Sequence, residues 1–254
     1  FIAEDWVEWE PNPQGTQRVG LGTDVMGSYW TERRAYYLEN VRKIHEACPD
    51  VKVLAYYNAM RESADDAPQR FVDSLLIDEA GHYSTQVFPP TTNLNYTMIP
   101  TLNNSFGQAM LNVAQQYFDE LELDGIYCDE MEGIRPGELL ITYNNNFDGH
   151  SCLLYPQFTI KQQVGIGPLA SRPFRNELVH LIQQSNGGIL LGNGLTGSKD
   201  TLRDQVQRMV EVQNVPSYAY DGHLQTPLAY RGWKTTWDDF LQTFSLAMLP
   251  GVCI

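Results

Sequence analysis

Apolar residues along the chain follow two alternating patterns, one with helical spacing and one made of short continuous runs. The clearest helical pattern covers residues 106–121, where Phe106, Met110, Val113 and Tyr117 belong to a set that recurs at i, i+3, i+4 and i+7. Similar spacing, with polar residues suited to begin a helix, predicts further helices at residues 31–48, at 173–184, from about 200 and at 236–248. The chain is therefore predicted to hold several amphipathic helices.

The short apolar runs lie between these helices and predict buried strands. They cover residues 1–6, 51–57, 126–128, 189–193, 208–212 and 252–254. Most of them end on a polar residue, as with Asn58, Asp129 and Asn193. Because such strands alternate with helices, the pattern predicts a parallel sheet covered by helices.

This alternation fits either an open doubly wound sheet or a closed (β/α)8 barrel, the TIM barrel. No G-x-G-x-x-G follows a predicted strand, and polar strand ends occur along the whole chain. A barrel gathers such ends in one pocket, and the length is typical of one. We therefore predict the α/β class and a (β/α)8 TIM barrel in which residues 1–254 form a single domain, with irregular insertions at about residues 60–100 and 133–167.

The charge balance narrows the class of ligand. Lys and Arg total 17 against 31 Asp and Glu, a net charge of −14, which would repel the phosphates of a nucleic acid. No apolar run is long enough to span a membrane. A neutral sugar meets no such repulsion, and the 5 Trp and 14 Tyr offer flat apolar faces for its C–H groups. We therefore expect a carbohydrate substrate, and neither a nucleic acid nor a membrane partner.

The cysteines and histidines lack the spacing that is typical of metal sites. Cys48, Cys128, Cys152 and Cys253 lie far apart without a C-x-x-C pair, and we predict free, buried thiols. The five histidines show neither H-x-H nor H-E-x-x-H spacing. We therefore expect neither a metal nor another cofactor.

The polar strand ends supply the candidate chemistry. Acidic side chains end three separate predicted strands, namely Glu4 with Asp5, Asp129 with Glu130, and Glu211. Two facing carboxylates are what glycoside hydrolysis requires, one as nucleophile or base and the other as acid. Asp129 ends a fully apolar strand, and Glu211 lies between two valines, where a charge needs a polar pocket. We therefore predict that Asp129 and Glu211 are the catalytic pair.

Other polar and aromatic residues near these ends are candidates for sugar binding. Amide groups can both donate to and accept from hydroxyls, and aromatic rings can stack on a sugar. The candidates are Asp5, Trp6, Tyr56, Asn58, Tyr127, Glu130, Asn193, Asp221, His223 and Trp233. By contrast, Asp124 is predicted to serve the turn before its strand and Glu132 to be a solvated loop residue. Glu130 is predicted to point away from Asp129, since neighbours alternate along a strand.

The order of these elements resembles the retaining α-galactosidase and α-glucosidase superfamily of glycoside hydrolase barrels. The segments that carry the resemblance are Glu4-Asp5-Trp6, Tyr127-Cys128-Asp129 and Arg208-Met209-Val210-Glu211. The resemblance implies that they end the second, fourth and sixth barrel strands and that the first strand precedes Phe1. It also implies that Asp129 is the nucleophile and Glu211 the acid/base. Because the superfamily usually carries Asp as acid/base, Asp221 is the nearest alternative. The implied activity is cleavage of a glycosidic bond in an oligo- or polysaccharide, with retention.

Alternative interpretations remain open. In a non-catalytic carbohydrate-binding or degenerate barrel, the same acids would only hold sugar hydroxyls. A metal-dependent hydrolase or lyase could use the acidic cluster, but the histidine spacing does not favour it. A resemblance to the chitinase pattern D-G-x-D-x-D-x-E is weaker, because Tyr127 and Met131 replace an Asp and the catalytic Glu.

Overall fold

A computed structural model describes residues 8–9, 18–27, 30–88, 91–133, 140–144, 151–154, 162–185, 188–193, 206–211 and 228–230. The helices are α1 (Trp30–Ala47), α2 (Ala67–Arg70), α3 (Ser105–Leu121), α4 (Gly167–Ala170) and α5 (Arg172–Gln184), with a 3-10 turn at Gly22–Met26. The strands are β1 (Glu8–Trp9), β2 (Arg18–Val19), β3 (Leu54–Asn58), β4 (Arg61–Glu62), β5 (Thr85–Gln86), β6 (Asn95–Thr97), β7 (Gly125–Asp129), β8 (Ile141–Thr142), β9 (Ser151–Leu154), β10 (Gln162–Ile166), β11 (Ile189–Gly192), β12 (Gln207–Glu211) and β13 (Leu228–Tyr230).

Within the described residues, five strands form a parallel sheet whose spatial order follows the chain. β3 pairs with β7, β7 with β11, β11 with β12 and β12 with β13, each pair being parallel. Barrels are built from parallel strands that are neighbours both in the chain and in space. The prediction of a mixed α/β fold with a parallel sheet is therefore confirmed, and the closed eight-stranded barrel stays a prediction.

The parallel sheet separates two apolar clusters. On one face, Ile126 and Cys128 of β7 pack into the larger cluster together with residues of helices α3 and α5. On the opposite face, Tyr127 packs with Tyr56 and Leu191 in a smaller cluster, which we call the inner cluster. This division follows from the alternation of side chains along a strand. Apolar residues cover both faces, which explains the continuous apolar runs in the sequence.

The join between α3 and β7 follows the sequence pattern closely. The Asn104 side chain caps α3 by accepting a hydrogen bond from the Gly107 N–H at 2.9 Å, and so pairs a donor that the helix leaves free. The helix ends at Leu121, as predicted. Asp124 then accepts the Val53 N–H at 2.9 Å in the turn before β7. Helices α1 and α5 also match their predicted ranges to within one residue.

Both predicted insertions contain small antiparallel sheets. In the first, β4, β6 and β5 pair in that order, and in the second, β8, β10 and β9 do so. The first sheet begins at Arg61, three residues after the end of β3 at Asn58. The Met98 N–H also donates to the Met60 carbonyl oxygen at 2.9 Å. The first insertion is therefore attached at the C-terminal end of β3.

A few elements differ from the sequence predictions. The apolar pattern did not predict β13, which is short and pairs in parallel with β12. Cys128 is buried as predicted, but Cys48 is exposed, so the prediction of a buried thiol is wrong there. Cys48 directly follows α1, beyond the part of the helix that packs on the core. The predicted strands at residues 1–6 and 252–254, and the predicted helices from about 200 and at 236–248, lie outside the described residues.

Among the helices that the structure describes, none combines the length and apolar character needed to cross a membrane.

Candidate active site

Three polar residues lie in a row across the C-terminal ends of β3, β7 and β11. Asn58 is in register with Asp129, and Asn193 follows Gly192, whose register partner is Cys128. The ladder continues past that pair, because the Asn193 N–H donates to the Cys128 carbonyl oxygen at 2.9 Å. The sheet therefore brings these three candidates together at one edge, directly above the inner cluster.

Donors from both neighbouring strands hold the Asp129 carboxylate. The Tyr56 hydroxyl donates to Oδ2 at 2.8 Å, and Asn193 Nδ2 donates to Oδ1 at 2.8 Å. The main-chain N–H of Glu130 also donates to Oδ1, at 2.9 Å. Hydrogen bonds to a carboxylate are short and directional, so this set fixes its orientation. Because Asp129 is only half-buried, the carboxylate is both held and open to a ligand.

Tyr56 and Asn58 form the layer behind Asp129. Burial raises the pKa of Tyr56 well above its usual value, and the Asp129 carboxylate raises it further. The phenol therefore stays protonated at neutral pH and remains a donor to Asp129. Asn58 Nδ2 donates to the Tyr56 hydroxyl oxygen at 3.3 Å, while Asn58 Oδ1 accepts the Met60 N–H at 3.0 Å. Asn58 thus connects Tyr56 to the start of the first insertion.

Glu130 leaves the strand through a left-handed main-chain conformation, with φ of 50°, which costs a non-glycine residue about 1–2 kcal/mol. Its carboxylate is paired with Arg61, Nε to Oε2 at 2.9 Å and Nη2 to Oε1 at 3.3 Å. Burial raises the pKa of Glu130 to about 7 despite the opposing effect of the Arg61 guanidinium, and the Asp129 carboxylate adds to the rise. A titratable carboxyl group therefore lies next to Asp129, held by a buried positive charge.

Arg61 is a site residue that the sequence reasoning missed. The Arg61 side chain is 3% exposed and comes from β4 in the first insertion. Besides Glu130, its guanidinium donates to Thr97 Oγ1 at 2.8 Å and to Gln86 Oε1 at 2.9 Å, and it lies 5.8 Å from the centroid of the Phe88 ring. The only signal in the sequence is a charge three positions after a polar strand end. That signal has no meaning without the partners, which come from other elements.

Two other residues near the site, the acidic Glu132 and the aromatic Tyr127, are both buried. Glu132, predicted to be solvated, is 1% exposed, and its Oε1 lies 3.9 Å from Nη2 of the buried Arg175. That prediction is wrong, because the positive charge of Arg175 lies inside the fold and favours a buried carboxylate beside it. Tyr127, a stacking candidate, is 2% exposed and packs against the Tyr56 ring with centroids 5.8 Å apart. The ring contact that the structure describes for Tyr127 is therefore with another side chain of the protein.

Glu211 ends β12, which β11 separates from β7. Leu191 is in register with Tyr127 on one side and with Gln207 on the other. Counting along the strands, Glu211 lies two residues beyond the row of Asp129, at the same end of the sheet. The candidates that lie outside the described residues are Asp5, Trp6, Asp221, His223 and Trp233.

A cleft of about 550 Å³ lies at the opposite, N-terminal end of the strands, and its lining includes Lys52, Asp119, Asp124 and Ile189. Asp124 is already paired with Lys52 at 2.9 Å. Parallel α/β barrels bind ligands at the C-terminal ends of their strands, so the Asp129 edge is the candidate site. Within the described ranges, no three His, Cys, Asp or Glu side chains are grouped as metal ligands would be.

No protein-family model matches the chain, and no curated protein sequence matches it. Among solved structures, the chain is similar to a cycloisomaltooligosaccharide glucanotransferase from Paenibacillus sp. complexed with cycloisomaltoheptaose, with a TM-score of 0.51, 12% identity, and coverage of 88% of this chain and 30% of that one. It is also similar to an α-galactosidase from Thermus thermophilus, with a TM-score of 0.48, 10% identity and coverage of 87% and 45%. A third is an α-N-acetylgalactosaminidase from Bifidobacterium bifidum, with a TM-score of 0.49, 8% identity and coverage of 98% and 50%.

The chain thus spans between 30% and 50% of the length of these three proteins. At 12% identity, the likeness to the glucanotransferase is one of fold alone. It agrees with the parallel sheet and the mixed α/β class described above. The fold is glycosidase-like, as the sequence resemblance predicted, and the particular superfamily stays a prediction.

Proposed function

We propose that this chain cleaves glycosidic bonds with Asp129 as nucleophile and Glu211 as acid/base. One observation carries the proposal: the Asp129 carboxylate stands at the C-terminal end of a parallel strand inside the sheet, with each oxygen held by a side-chain donor from a flanking strand. These donors fix the direction of the carboxylate, and a nucleophile must approach one carbon atom along a defined direction.

The reaction we propose is double displacement. Asp129 attacks the anomeric carbon while Glu211 protonates the leaving oxygen, and the aglycone departs as an alcohol from a covalent glycosyl ester of Asp129. Glu211, now ionised, takes a proton from a water molecule or from a hydroxyl of a second sugar. That oxygen attacks the anomeric carbon, and the Asp129 carboxylate leaves. Tyr56 and Asn193 would hold the carboxylate in line for both steps.

The strand register supports Glu211 as the partner. β12 is two strands from β7, so their main chains are about 10 Å apart at the usual strand spacing. Tyr127 and Gln207 are aligned across the sheet through Leu191. Asp129 lies two residues after Tyr127 and Glu211 lies four residues after Gln207. Positions separated by an even number of residues share one face of a sheet, so Asp129 and Glu211 belong to the same face. Glu211 also lies two residues, or about 7 Å, further along its strand, so the two Cα positions are about 12 Å apart by this count. Retention would require the two side chains to bring their carboxyl groups to about 5 Å from each other.

A neutral oligo- or polysaccharide is the substrate that the charges favour. The net charge of −14 would repel an anionic polymer, and the site edge itself carries Asp129 and Glu130 against Arg61. The fold likeness to a glucanotransferase complexed with cycloisomaltoheptaose supports a glucose-containing oligosaccharide as the first class to test.

The test compares the wild-type chain with Asp129→Asn and a matched control. The probes are nitrophenyl α- and β-glycosides of glucose and galactose, together with isomalto-oligosaccharides. Asp129→Asn should abolish turnover and leave the fold intact, because Asn keeps the shape and one acceptor oxygen. The control Asp119→Asn makes the same change on the exposed side of α3 and should retain full turnover. NMR of the first-formed product should show the anomeric configuration of the substrate.

Two results would count against the proposal. One is turnover by Asp129→Asn at the wild-type rate. The other is sugar binding by the wild-type chain, measured calorimetrically, without hydrolysis or transfer of any probe, which would favour the non-catalytic carbohydrate-binding function.

A further inference from the structure

We propose that Arg61 is a positioning residue of this site, because its clamp on the Glu130 carboxylate fixes the main-chain N–H that orients Asp129. The inference rests on the proposed function of Asp129 and adds a residue from outside the parallel sheet. Arg61 touches neither Asp129 nor the reacting atoms, so it would act through Glu130.

Arg61 is anchored by partners in three different segments of the chain. Its guanidinium makes both ends of a bidentate pair with Glu130, and its remaining described donors reach Thr97 on β6 and Gln86 on β5. An arginine fork held at three places cannot swing, so the carboxylate that it grips is held as well. The small β4–β6–β5 sheet therefore has a rigid connection to the residue after Asp129.

The ion pair with Arg61 also constrains the main chain at Glu130. Glu130 is left-handed, with φ of 50°, and its N–H donates to Asp129 Oδ1 at 2.9 Å. Because the peptide group is planar, φ of Glu130 is the one soft main-chain torsion between this N–H and the Cα atom that carries the side chain held by Arg61. Arg61 thereby keeps in place a donor to the same Asp129 oxygen that Asn193 contacts.

The other end of β7 shows the same arrangement without a site. Glu122 also has a left-handed main chain, with φ of 54°, and its carboxylate is gripped by Arg42, whose Nε lies 3.1 Å from Oε2. Those two side chains are 55% and 56% exposed, whereas Arg61 and Glu130 are 3% and 14% exposed. A buried ion pair is an inefficient source of stability. Its presence beside Asp129 is explained by the need for a fixed geometry there.

Arg61 also affects how Glu130 titrates. Burial raises the pKa of Glu130 to about 7, and the positive charge of Arg61 opposes that rise. Removal of the charge should therefore raise the pKa of Glu130 further, a change that loss of packing alone would not reproduce.

The experiment compares Arg61→Met, Arg61→Lys and the matched control Arg42→Met in the full chain. We expect Arg61→Met to lower kcat about tenfold or more with little change in KM, because a small displacement of a reacting group has this effect. Lys keeps the charge but lacks the fork, so Arg61→Lys should restore the Glu130 titration better than it restores kcat. Arg42→Met should keep the wild-type kcat.

Carbon-13 NMR of the side-chain carboxyls, assigned with Glu130→Gln and Asp129→Asn, supplies a readout that needs no turnover. We expect the Glu130 midpoint to rise and the Asp129 carboxyl signal to shift in Arg61→Met. Unchanged signals for both carboxyls, or a kcat equal to that of Arg42→Met, would overturn the inference. If Arg61→Met does not fold, the same two readouts on Arg61→Lys decide. Absence of turnover in the wild type would instead refute the proposed function, while the NMR result would still test the clamp.

Discussion

The Tyr56 hydroxyl donates to Asp129 Oδ2 at 2.8 Å across the β3–β7 ladder. Tyr56 is in register with Tyr127, two residues before Asp129, so its ring rises along the face of the sheet to reach the carboxylate. The ring belongs to the inner cluster, and the hydroxyl belongs to the site. The packing of the inner cluster therefore fixes the Tyr56 side chain, and its hydroxyl in turn fixes the proposed nucleophile.

Replacement of this phenol gives the first prediction. Tyr56→Phe keeps the ring but removes the donor to Asp129, and a hydrogen bond to a charged group contributes about 1.5–3 kcal/mol. We expect kcat/KM on the responsive glycoside to fall about 10- to 100-fold. Tyr57→Phe is the control on the opposite face of β3, where the hydroxyl donates to the Met110 carbonyl oxygen at 3.0 Å. It should lower the free energy of unfolding by about 1 kcal/mol and leave kcat/KM unchanged. The reverse pattern would contradict the role assigned to Tyr56.

The two left-handed glutamates give a second prediction, since glycine adopts this conformation without strain. Glu122→Gly should raise the midpoint of thermal unfolding, because its pair with Arg42 is exposed and such pairs contribute little. Glu130→Gly relieves about 1 kcal/mol of strain but leaves the buried Arg61 without its carboxylate, at a cost of about 3 kcal/mol. The net loss should be about 2 kcal/mol. Shifts of the same sign in the two variants, measured by calorimetry, would show that burial does not distinguish the pairs.

The sequence could predict features that depend on local signals, but not those that depend on partners distant in the chain. The α3–β7 join was predictable because its signals are local: the helical period before Leu121, the turn at Asp124 and the apolar run that ends at Asp129. The environments of Arg61 and Glu132 depend on partners from other elements. In the sequence, a buried charged residue in an irregular segment cannot be distinguished from a solvated one unless its partner is known. The row formed by Asn58, Asp129 and Asn193 was predictable only through the parallel sheet, which aligns strand ends wherever they lie in the chain.

A third prediction concerns the close approach of strands at the start of β7. A Cβ atom on Gly125 would collide with the Ile189 carbonyl oxygen and lie 2.8 Å from Leu54 Cδ2, and all three residues are aligned across the sheet. Gly125→Ala should therefore cost at least about 3 kcal/mol of stability, because a main-chain atom has to move. Gly81→Ala is the comparison: φ there is 86° and nothing lies within 4 Å, so only strain of about 1 kcal/mol applies. Equal losses in urea unfolding would refute the proposed clash.

The last prediction concerns Glu62, which follows Arg61 on β4 and is fully buried. Its Oε2 accepts from the Thr23 N–H at 2.8 Å and from the Thr23 hydroxyl at 2.6 Å, and its Oε1 accepts the Ala64 N–H at 2.9 Å. Burial nevertheless raises its pKa from 4.5 to about 7, and the Asp24 carboxylate adds to the rise. Glu62 thus ties the Gly22–Met26 turn to the insertion that carries Arg61.

The sign of the pH effect follows from this raised pKa. Between about pH 4.5 and pH 7 the folded chain keeps a proton on Glu62 that the unfolded chain has lost, so the folded state binds more protons and its stability falls as pH rises. The full effect is about 3 kcal/mol. Glu62→Gln cannot titrate, so the wild-type stability minus that of Glu62→Gln should decrease from pH 5 to pH 8 in urea unfolding.

An exposed carboxylate provides the control for this measurement. The hydrogen bond from Lys43 lowers the pKa of Glu39 below 4.5, so above about pH 5 Glu39 is ionised in both states. The difference between the wild type and Glu39→Gln should therefore stay constant from pH 5 to pH 8. A constant difference for Glu62→Gln as well would mean that Glu62 is ionised in the folded chain throughout this range. The three donors from Thr23 and Ala64 would then outweigh the cost of burying the charge.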